Sequence, residues 1–420
     1  MLLGCIADDL TGATDLAIML TRAGMRTLQV MEVPGSDADL EGFDAIVVAL
    51  KTRTCPVEEA VQASLASADA LLARGARQLF FKYCSTFDST DAGNIGPVAD
   101  ALLDRVAGGL ALVCPAFPTN RRTIYMGNLF VGELPLAESP MKDHPLTPMR
   151  DSNLVRVLQR QTRSQVGLVP FPVVAQGADA IAAAFRTEQE RGRRFVVVDA
   201  ITDADLLAIG KAAAEHRLIT GGSGVALGLP ANFIAAGAMR AAPAPITMQA
   251  VAGRCAVIAG SCSEATRAQV ATAAAAGLPV FVVDPLKLHD GRLSARELAE
   301  WARQQPPENP VLIASSAEPA SVVRVQEQLG RGEAGGIVER ALAETATYLV
   351  ASGVTRLIVA GGETSGAVVA ALGVKALEIG PEIDPGVPWT RAVGRDLVLA
   401  LKSGNFGAPD FFVKAWEKLT

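Results

Sequence analysis

Histidine is scarce in this chain of 420 residues, and paired cysteines are missing. Only His144, His216 and His289 occur, so the histidine-rich clusters that bind metals or relay protons are not expected. The six cysteines include no Cys-x-x-Cys pair, and several lie in apolar runs, as small hydrophobic residues do. These patterns argue against a structural zinc site and a disulfide framework.

The chain also lacks an excess of positive charge and a long apolar run. It has 38 Lys and Arg against 44 Asp and Glu, a formal charge of -6, which argues against nucleic acid or an anionic membrane as a partner. No apolar run approaches the roughly 18 residues of a spanning helix. No basic leader precedes Asp8 and Asp9, so we expect a cytoplasmic protein that holds any anionic ligand locally.

What the sequence does contain is an α/β pattern in two halves. Half of the residues are hydrophobic and 5% are aromatic, and short apolar runs alternate with Ala-rich stretches of helical length. We predict two α/β domains with mainly parallel sheets and an active site in the cleft between them. Residues 1–240 form the predicted substrate domain, 241–252 a Pro- and Ala-rich linker and candidate hinge, and 253–420 the predicted nucleotide domain.

The predicted strands carry polar residues directly after them. In the first half the strands lie near residues 3–7, 27–31, 45–50, 78–82, 110–114, 166–170, 195–199 and 218–220. In the second half they lie near 255–259, 280–283, 311–314, 356–360 and 397–401. Between 115 and 151 the alternation stops, and so long an irregular segment is often functional.

Two adjacent acids follow the first predicted strand. Ligands of open parallel sheets bind outside the carboxyl ends of the strands, and Asp8 and Asp9 stand at such an end, before the Thr-Gly of a helix start. They are placed to bind substrate hydroxyls. The alternative is that one of them only caps the helix.

Basic residues follow two neighbouring strands. Arg53 comes after the strand at 45–50, and Lys82 and Asp88 come at the end of the strand at 78–82. Cations beside carboxylates favour a hydroxylated carboxylic acid as ligand. Each cation taken singly could be a solvated surface charge. Asn94 and Gly96 begin the next helix, whose free N–H groups could add to the anion site.

Three Gly- and Ser-rich turns follow strands in the second half, at 260–264, 361–366 and 402–407. Helix N-termini and close backbone approach at glycine suit phosphate oxygens, so these turns predict a nucleotide site. They match neither the P-loop nor the G-x-G-x-x-G pattern. Gly221 to Gly224 could form a fourth such turn or a hinge, and His144 could contact substrate or be structural.

Taken together, these motifs resemble the four-carbon acid sugar kinases over the whole chain. The motifs that carry the resemblance are Ala7 to Asp15, Lys82 to Gly96, Gly221 to Gly224, Gly260 to Ser263, Gly361 to Gly366 and Lys402 to Gly407. Within that family, Lys82 to Thr90 and the region from Cys114 to Pro145 look most similar to the 3-oxo-tetronate 4-kinases.

The resemblance implies ATP-dependent phosphorylation of the terminal hydroxyl of 3-oxo-tetronate, with D-threonate or D-erythronate as the alternative acid. It implies that ATP is held by Ser261, Ser263, Gly361, Gly362, Glu363, Thr364 and Gly404, and substrate by Asp8, Asp9, Arg53, Lys82, Asp88 and His144. Asp9 or Asp88 would accept the hydroxyl proton, and Mg²⁺ would bridge the phosphates. We expect the sugar acid and ATP to be the ligands. We also expect the chain to form a homodimer.

Two functions of other classes stay open from the residues alone. A NAD-dependent hydroxy-acid dehydrogenase would share the fold class, but it would require a dinucleotide fingerprint that the sequence does not show. A non-catalytic sensor of sugar acids would have the substrate cluster without the phosphate turns.

Overall fold

The computed structural model describes residues 1–35, 40–144, 146–240, 247–315 and 331–419. The chain divides into two compact units, Met1–Pro243 and Ala244–Thr420. Residues 241–246 of the predicted linker lie outside the described residues. Every helix in the described parts of the chain is too short or too polar to span a bilayer.

The first unit contains a sheet of eight parallel strands and a separate small sheet of three strands. In chain order its strands are β1 Leu3–Ala7, β2 Thr27–Val30, β3 Ala45–Ala49, β4 Gln78–Lys82, β5 Ala111–Cys114, β6 Arg122–Tyr125, β7 Asn128–Val131, β8 Leu134–Pro135, β9 Gln165–Val169, β10 Arg193–Val198 and β11 Leu218–Gly221. The parallel sheet has the order β2-β3-β1-β4-β11-β5-β10-β9. Strands β1 to β5 are buried throughout, as expected of a sheet covered on both faces.

Helices connect these strands. They are α1 Leu10–Arg22, α2 Val57–Ala73, α3 Ile95–Arg105, α4 Leu154–Gln161, α5 Phe171–Val174, α6 Ala178–Glu190, α7 Asp203–Ala212 and α8 Pro230–Ala235. From β1 the chain first builds the sheet towards β2 and β3 and then, from β4 onward, in the opposite direction. The strand order therefore reverses between β1 and β4, the kind of place where ligands bind in open α/β sheets.

The segment between 115 and 151, predicted without regular structure, contains a small antiparallel sheet of β6, β7 and β8. Met126 and Gly127 form the turn between β6 and β7, with φ of 50° and 75°. The carboxylate of Asp199 accepts hydrogen bonds from both of their N–H groups, at 2.6 and 2.9 Å, and from that of Phe171 at 2.8 Å. This buried acid anchors the hairpin to the end of β10.

The second unit has a mixed sheet. Its strands are β12 Arg254–Ala259, β13 Val280–Val282, β14 Val311–Ala314, β15 Val354–Ala360, β16 Ala376–Asp384, β17 Val387–Ala392 and β18 Val398–Lys402. They lie in the order β13-β14-β12-β15-β18-β17-β16, parallel except at the pairs formed by β17. The antiparallel strands β16 and β17 were missing from the sequence prediction. Trp389 of β17 lies in the buried core of this unit.

The helices of the second unit are α9 Glu264–Ala275, α10 Pro285–His289, α11 Ala295–Gln304, α12 Arg331–Ala351, α13 Gly362–Ala371 and α14 Phe411–Lys414. Here the strand order reverses between β12 and β15. The first turns of α9 and α13 follow these two strands directly.

Candidate active site

The polar residues predicted at the strand ends of the first unit meet because the strands are in register. Ala7 of β1 pairs with Ala49 of β3 and with Lys82 of β4. Just beyond, the Asp8 N–H donates to the Lys82 carbonyl at 3.0 Å, and the Thr52 N–H donates to the Asp8 carbonyl at 2.9 Å. The three strand ends thus place Asp8 between the segments that carry Arg53 and Lys82.

Arg53 connects three carboxylates. Its Nε and Nη2 donate to the two oxygens of Asp8, each at 2.8 Å. Nη2 also lies 2.8 Å from Oδ1 of Asp9, and Nη1 lies 3.8 Å from Oδ2 of Asp88. Sequence reasoning placed Arg53 in an anion site for a ligand. In the structure its guanidinium is largely occupied by carboxylates of its own unit.

Burial and ion pairing act in opposite directions on the pKa values of Asp8 and Arg53. Burial raises the pKa of Asp8, an effect that the charge and hydrogen bonds of Arg53 oppose. Burial alone would lower the pKa of Arg53, but the Asp8 carboxylate reverses that effect and raises it above its ordinary value. Arg53 therefore stays charged at every physiological pH.

Asp9 also caps the N-terminus of α1. Its Oδ1 accepts the Gly12 N–H at 2.9 Å, which is an N-cap. The helix begins at Leu10, directly after Asp9, because Asp9 supplies this cap. The cap that sequence reasoning left as an alternative is present, and it falls to Asp9, while Asp8 pairs with Arg53. With its side chain 31% exposed, Asp9 is more accessible than Asp8 at 7% or Asp88 at 10%.

Lys82 is nearly buried at the end of β4, only 3% exposed. Its Nζ donates to the Tyr83 carbonyl at 2.7 Å. Asp15 on α1 is half-buried and accepts a hydrogen bond from the Ser223 hydroxyl. Burial raises the pKa of Asp15, and the charge of Lys82 acts against that rise. Sequence reasoning noted Asp15 without giving it this role.

The loop that carries Asp88 has an unusual backbone. Phe87 and Asp88 have φ of 66° and 47°, a left-handed conformation that is costly for a bulky residue such as phenylalanine. Phe87 is held there by burial and by an edge-on contact with Tyr83. The Thr86 hydroxyl donates to Asp88 at 2.6 Å. Such strain is typical of loops that fix a functional side chain.

The start of α3 does not offer the free donors that were expected. The Gly96 N–H donates to Oε1 of Gln161 at 2.9 Å. The Asn94 side chain donates to the carbonyls of Thr52 and Cys55, at 2.7 and 2.9 Å. Asn94 therefore fixes the segment that carries Arg53, and Gln161 fixes the helix start.

Close packing explains the glycines at 221–224. A Cβ at Gly221, Gly222 or Gly224 would overlap backbone oxygens of residues 114–116, which run alongside. Two backbones approach each other here, and this requirement accounts for the glycines without a phosphate or a hinge. Of the remaining predicted site residues, His144 is half-buried and its Nδ1 contacts Oγ1 of Thr147 at 2.9 Å. No hydrogen bond or ion pair among the described residues joins His144 to the carboxylates around Arg53.

In the second unit the three predicted turns converge. Ala360 pairs with Ala259 on one side and with Lys402 on the other, so the turns after these residues lie side by side. Added Cβ atoms at Gly260 and Gly404 would overlap the side chains of Thr364 and Ser261 respectively. Gly361 adopts φ of 132°, which an ordinary residue avoids. Glycine is thus needed for three turns to share this space.

The Gly404 carbonyl is the point where the turns are tied together. It accepts hydrogen bonds from the Ser263 hydroxyl at 2.7 Å and the Thr266 hydroxyl at 2.8 Å. Ser263 also caps α9 by accepting the Thr266 N–H. Helices α9 and α13 begin at two of these adjacent turns, and the free N–H groups of a helix start suit phosphate oxygens.

The acidic residues of these turns are Glu264 and Glu363, each exposed in the first turn of its helix. No three His, Cys, Asp or Glu side chains of the described residues stand close enough together to hold a metal ion by themselves. Mg²⁺ bound together with a nucleotide needs only one or two carboxylates from the protein, because phosphate oxygens and waters supply its other ligands. Glu363 fits that requirement.

One residue of this region was named in a sequence motif but given no role. Lys402, the last residue of β18, is 2% exposed, and its Nζ donates to Thr266 Oγ1 at 3.2 Å and to the Gly404 carbonyl at 3.3 Å. Burial lowers the pKa of Lys402 to about 8. The sequence did contain a signal for this role. Like Lys82, Lys402 is a lysine at the end of a buried strand, directly before a turn predicted to bind a ligand.

Similarity to known proteins accords with these two sites. A family model described as a sugar-binding N-terminal domain matches residues 3–229, and one described as a nucleotide-binding C-terminal domain matches residues 256–412. These are the two domains of the four-carbon acid sugar kinases, ATP-dependent enzymes, and the chain belongs to that family.

Particular relatives cover the whole chain. A protein of Burkholderia multivorans named 3-oxo-tetronate kinase is 55% identical over 100% of this chain and 97% of its own. The Salmonella typhimurium protein of the same name is 42% identical over 98% of each. Among solved structures, a Salmonella typhimurium LT2 protein superposes with a TM-score of 0.92 at 41% identity, over 100% of this chain and 99% of its own. A Haemophilus influenzae protein gives 0.87 at 39% identity, over 99% and 100%.

Proposed function

We propose that this chain transfers the γ-phosphoryl group of ATP to the 4-hydroxyl of 3-oxo-tetronate. The name shared by relatives that align over nearly its full length supports this substrate. The observation that carries the chemistry is the carboxylate of Asp9, held by Arg53 and by the start of α1 at the carboxyl end of β1.

The first unit binds the acid. Carboxylates accept hydrogen bonds from hydroxyl groups, so Asp8, Asp9 and Asp88 suit a polyhydroxylated chain. Nη1 of Arg53 lies beyond hydrogen-bond distance of Asp88, and it is the donor we assign to the substrate carboxylate. Lys82, nearly buried, adds positive charge to the same set. His144 would reach substrate from the segment that carries β6, β7 and β8.

The second unit binds ATP through the converging turns. The N–H groups that begin α9 and α13 and the hydroxyls of Ser261 and Thr364 would hold phosphate oxygens. Ser263, whose hydroxyl donates to the Gly404 carbonyl, would shape the turn around them. Gly361, Gly362 and Gly404 allow the backbone to approach them. Mg²⁺ bound with ATP neutralises phosphate charge, and Glu363 would hold it.

Asp9 is our candidate for the group that accepts the hydroxyl proton. It is the most exposed of the three carboxylates around Arg53, and its contacts with Gly12 and Arg53 both fall on Oδ1. Asp88 is the alternative, since Thr86 contacts only its Oδ1 by hydrogen bond. Phosphoryl transfer depends mainly on positioning and charge, so the fixed Oδ1 orients the other oxygen towards the hydroxyl.

The substrate is tested with a panel of four-carbon acids. Purified protein, ATP and Mg²⁺ are combined with 3-oxo-tetronate, D-threonate or D-erythronate, and ADP release is measured against acid concentration. The largest kcat/KM with 3-oxo-tetronate is the expected result. A larger value for D-threonate or D-erythronate would assign the chain to the other branch of the family.

Two further expectations belong to this proposal. A kinase that consumes ATP would work in the cytoplasm, where ATP is supplied. A homodimer stays a prediction, which light scattering of the purified chain tests.

A further inference from the structure

A lysine ammonium is buried directly beneath the nucleotide turns. Lys402 ends β18, and its Nζ has three partners: the Thr266 hydroxyl at 3.2 Å, the Gly404 carbonyl at 3.3 Å and the Phe412 ring, whose centroid is 5.9 Å away. The residue is 2% exposed. Its charge is therefore solvated by a hydroxyl, a carbonyl and an aromatic face rather than by water.

None of these partners carries a full negative charge. Among the side chains that the structure describes, no carboxylate forms an ion pair with Lys402, and burial is what lowers its pKa. By contrast, Lys414, twelve residues later and with its side chain 29% exposed, pairs with Asp384 at 2.8 Å and Asp410 at 3.0 Å. A buried cation without an anion costs folding free energy. Stability alone does not explain why lysine occupies this position.

The position of the ammonium points to its missing counterion. Gly404, to which it donates, also accepts from Ser263 and Thr266, so the same carbonyl joins the ammonium to the cap of α9. The N–H groups of α9 that would hold phosphate follow this cap in the chain. Electrostatic attraction across one turn of low-polarity protein is stronger than in water.

We propose that Lys402 is a positioning residue whose buried charge is balanced by the phosphates of the bound nucleotide. This inference rests on the proposed binding of ATP by the second unit. Lys402 fixes the Gly404 turn through its hydrogen bonds, and it attracts phosphate through its charge. The buried charge destabilises the protein when no nucleotide is bound, and the phosphates of bound ATP balance it.

The test separates the charge from the hydrogen bonds. K402M removes both, and K402Q removes the charge but retains an N–H donor for the Gly404 carbonyl. Binding of ATP and of adenosine, which has no phosphate, is titrated for wild type and both variants in the full-length protein. K287M, which changes an exposed lysine of α10, is the matched control.

We expect both Lys402 variants to bind ATP about tenfold or more weakly, with adenosine binding changed less than twofold. The melting temperature of the empty variants should equal or exceed that of wild type. Equal losses of ATP and adenosine, unchanged ATP binding by K402Q, or unfolding of both variants would each overturn the inference. Wild type that binds no ATP would overturn the proposed function as well, so the two failures are distinguishable.

Discussion

The guanidinium of Arg53 donates two hydrogen bonds of 2.8 Å, one to each carboxylate oxygen of Asp8. This forked pair lies at the switch in strand order of the first unit, and its Nη2 also reaches Asp9. The arginine therefore sets the positions of the acids that we assign to the sugar-acid substrate. Its own geometry is set by Asn94, whose amide holds the segment from Thr52 to Cys55.

Replacing Arg53 by lysine tests this arrangement. R53K keeps the charge but cannot form the fork, so we expect kcat/KM for the acid to fall about tenfold or more and the melting temperature to fall, with ATP affinity unchanged. Steady-state ADP release, thermal unfolding and ATP titration measure the three quantities. K51R at a neighbouring exposed site is the control. A variant as active and as stable as wild type would show that the fork is dispensable.

Asparagine at Asp9 separates the proton acceptor from the helix cap. Asparagine caps a helix as well as aspartate does, so D9N should fold with nearly unchanged melting temperature. Loss of a general base lowers kcat by roughly 100-fold. The measurement is kcat from ADP release, together with ATP binding, which should not change.

D88N and D91N complete that experiment. Asparagine tolerates the positive φ of residue 88, and Asp91 is an exposed neighbour whose substitution should have no effect. If D88N lost turnover while D9N retained it, the proton acceptor would be Asp88.

Glutamine at Glu363 tests the assigned contact with Mg²⁺. If the carboxylate holds the cation, E363Q should need about tenfold more Mg²⁺ for half-maximal ATP binding, with little change once Mg²⁺ is saturating. ATP binding titrated against Mg²⁺ concentration gives the value, and E417Q near the end of the chain, also exposed, is the control. An identical Mg²⁺ dependence in E363Q and wild type would remove Glu363 from the metal site.

The pH dependence of stability should reveal the buried charge of Lys402. Burial lowers its pKa to about 8 in the folded chain, from the 10.5 of an ordinary lysine. Between these values the unfolded chain binds a proton that the folded chain does not, so the free energy of unfolding rises with pH. Relative to K402M, wild type should gain about 3 kcal/mol across this window.

Urea unfolding of the empty proteins at several pH values from 7.5 to 10.5 measures that gain. Cysteines and tyrosines titrate in the same range, but they do so in both proteins and cancel in the difference. Parallel pH profiles for wild type and K402M would mean that Lys402 titrates as an exposed lysine.

The strand ends that build both sites could be predicted from sequence because their signals are local. Leu3–Ala7 forms a fully buried strand. The two acids that follow it must therefore lie at the carboxyl end of this strand, at the edge of the sheet. The glycine turns after Ala259 and Ala360 also lie at the carboxyl ends of buried strands. Because parallel strands end at the same edge of the sheet, the register of the strands brings these turns together.

What escaped prediction depends on contacts distant in sequence. Strands β16 and β17 contain Pro381 and Pro388, which argue against strands, and the irregular register between Ile379 and Asp384 accommodates the interruption. The hairpin turn at Met126 and Gly127 lacks the usual Asn-Gly signal. Asp199, more than 70 residues later, holds it.

The pairing within the candidate site was hidden for the same reason. A lysine or arginine at a strand end could face a ligand or a carboxylate of its own fold. Arg53 faces Asp8, while Lys402 has no described carboxylate beside it. Only side-chain geometry distinguishes the two cases.

The most direct test of the account is the identity of the product. Purified protein, ATP labelled at the γ-phosphate and Mg²⁺ are incubated with 3-oxo-tetronate, and the phosphorylated acid is located by mass spectrometry and phosphorus NMR. We expect label on the oxygen of carbon 4, with labelled product formed in equal amount to ADP and lost in D9N or in D88N. ADP without a phosphorylated acid, or phosphate at another oxygen, would contradict it.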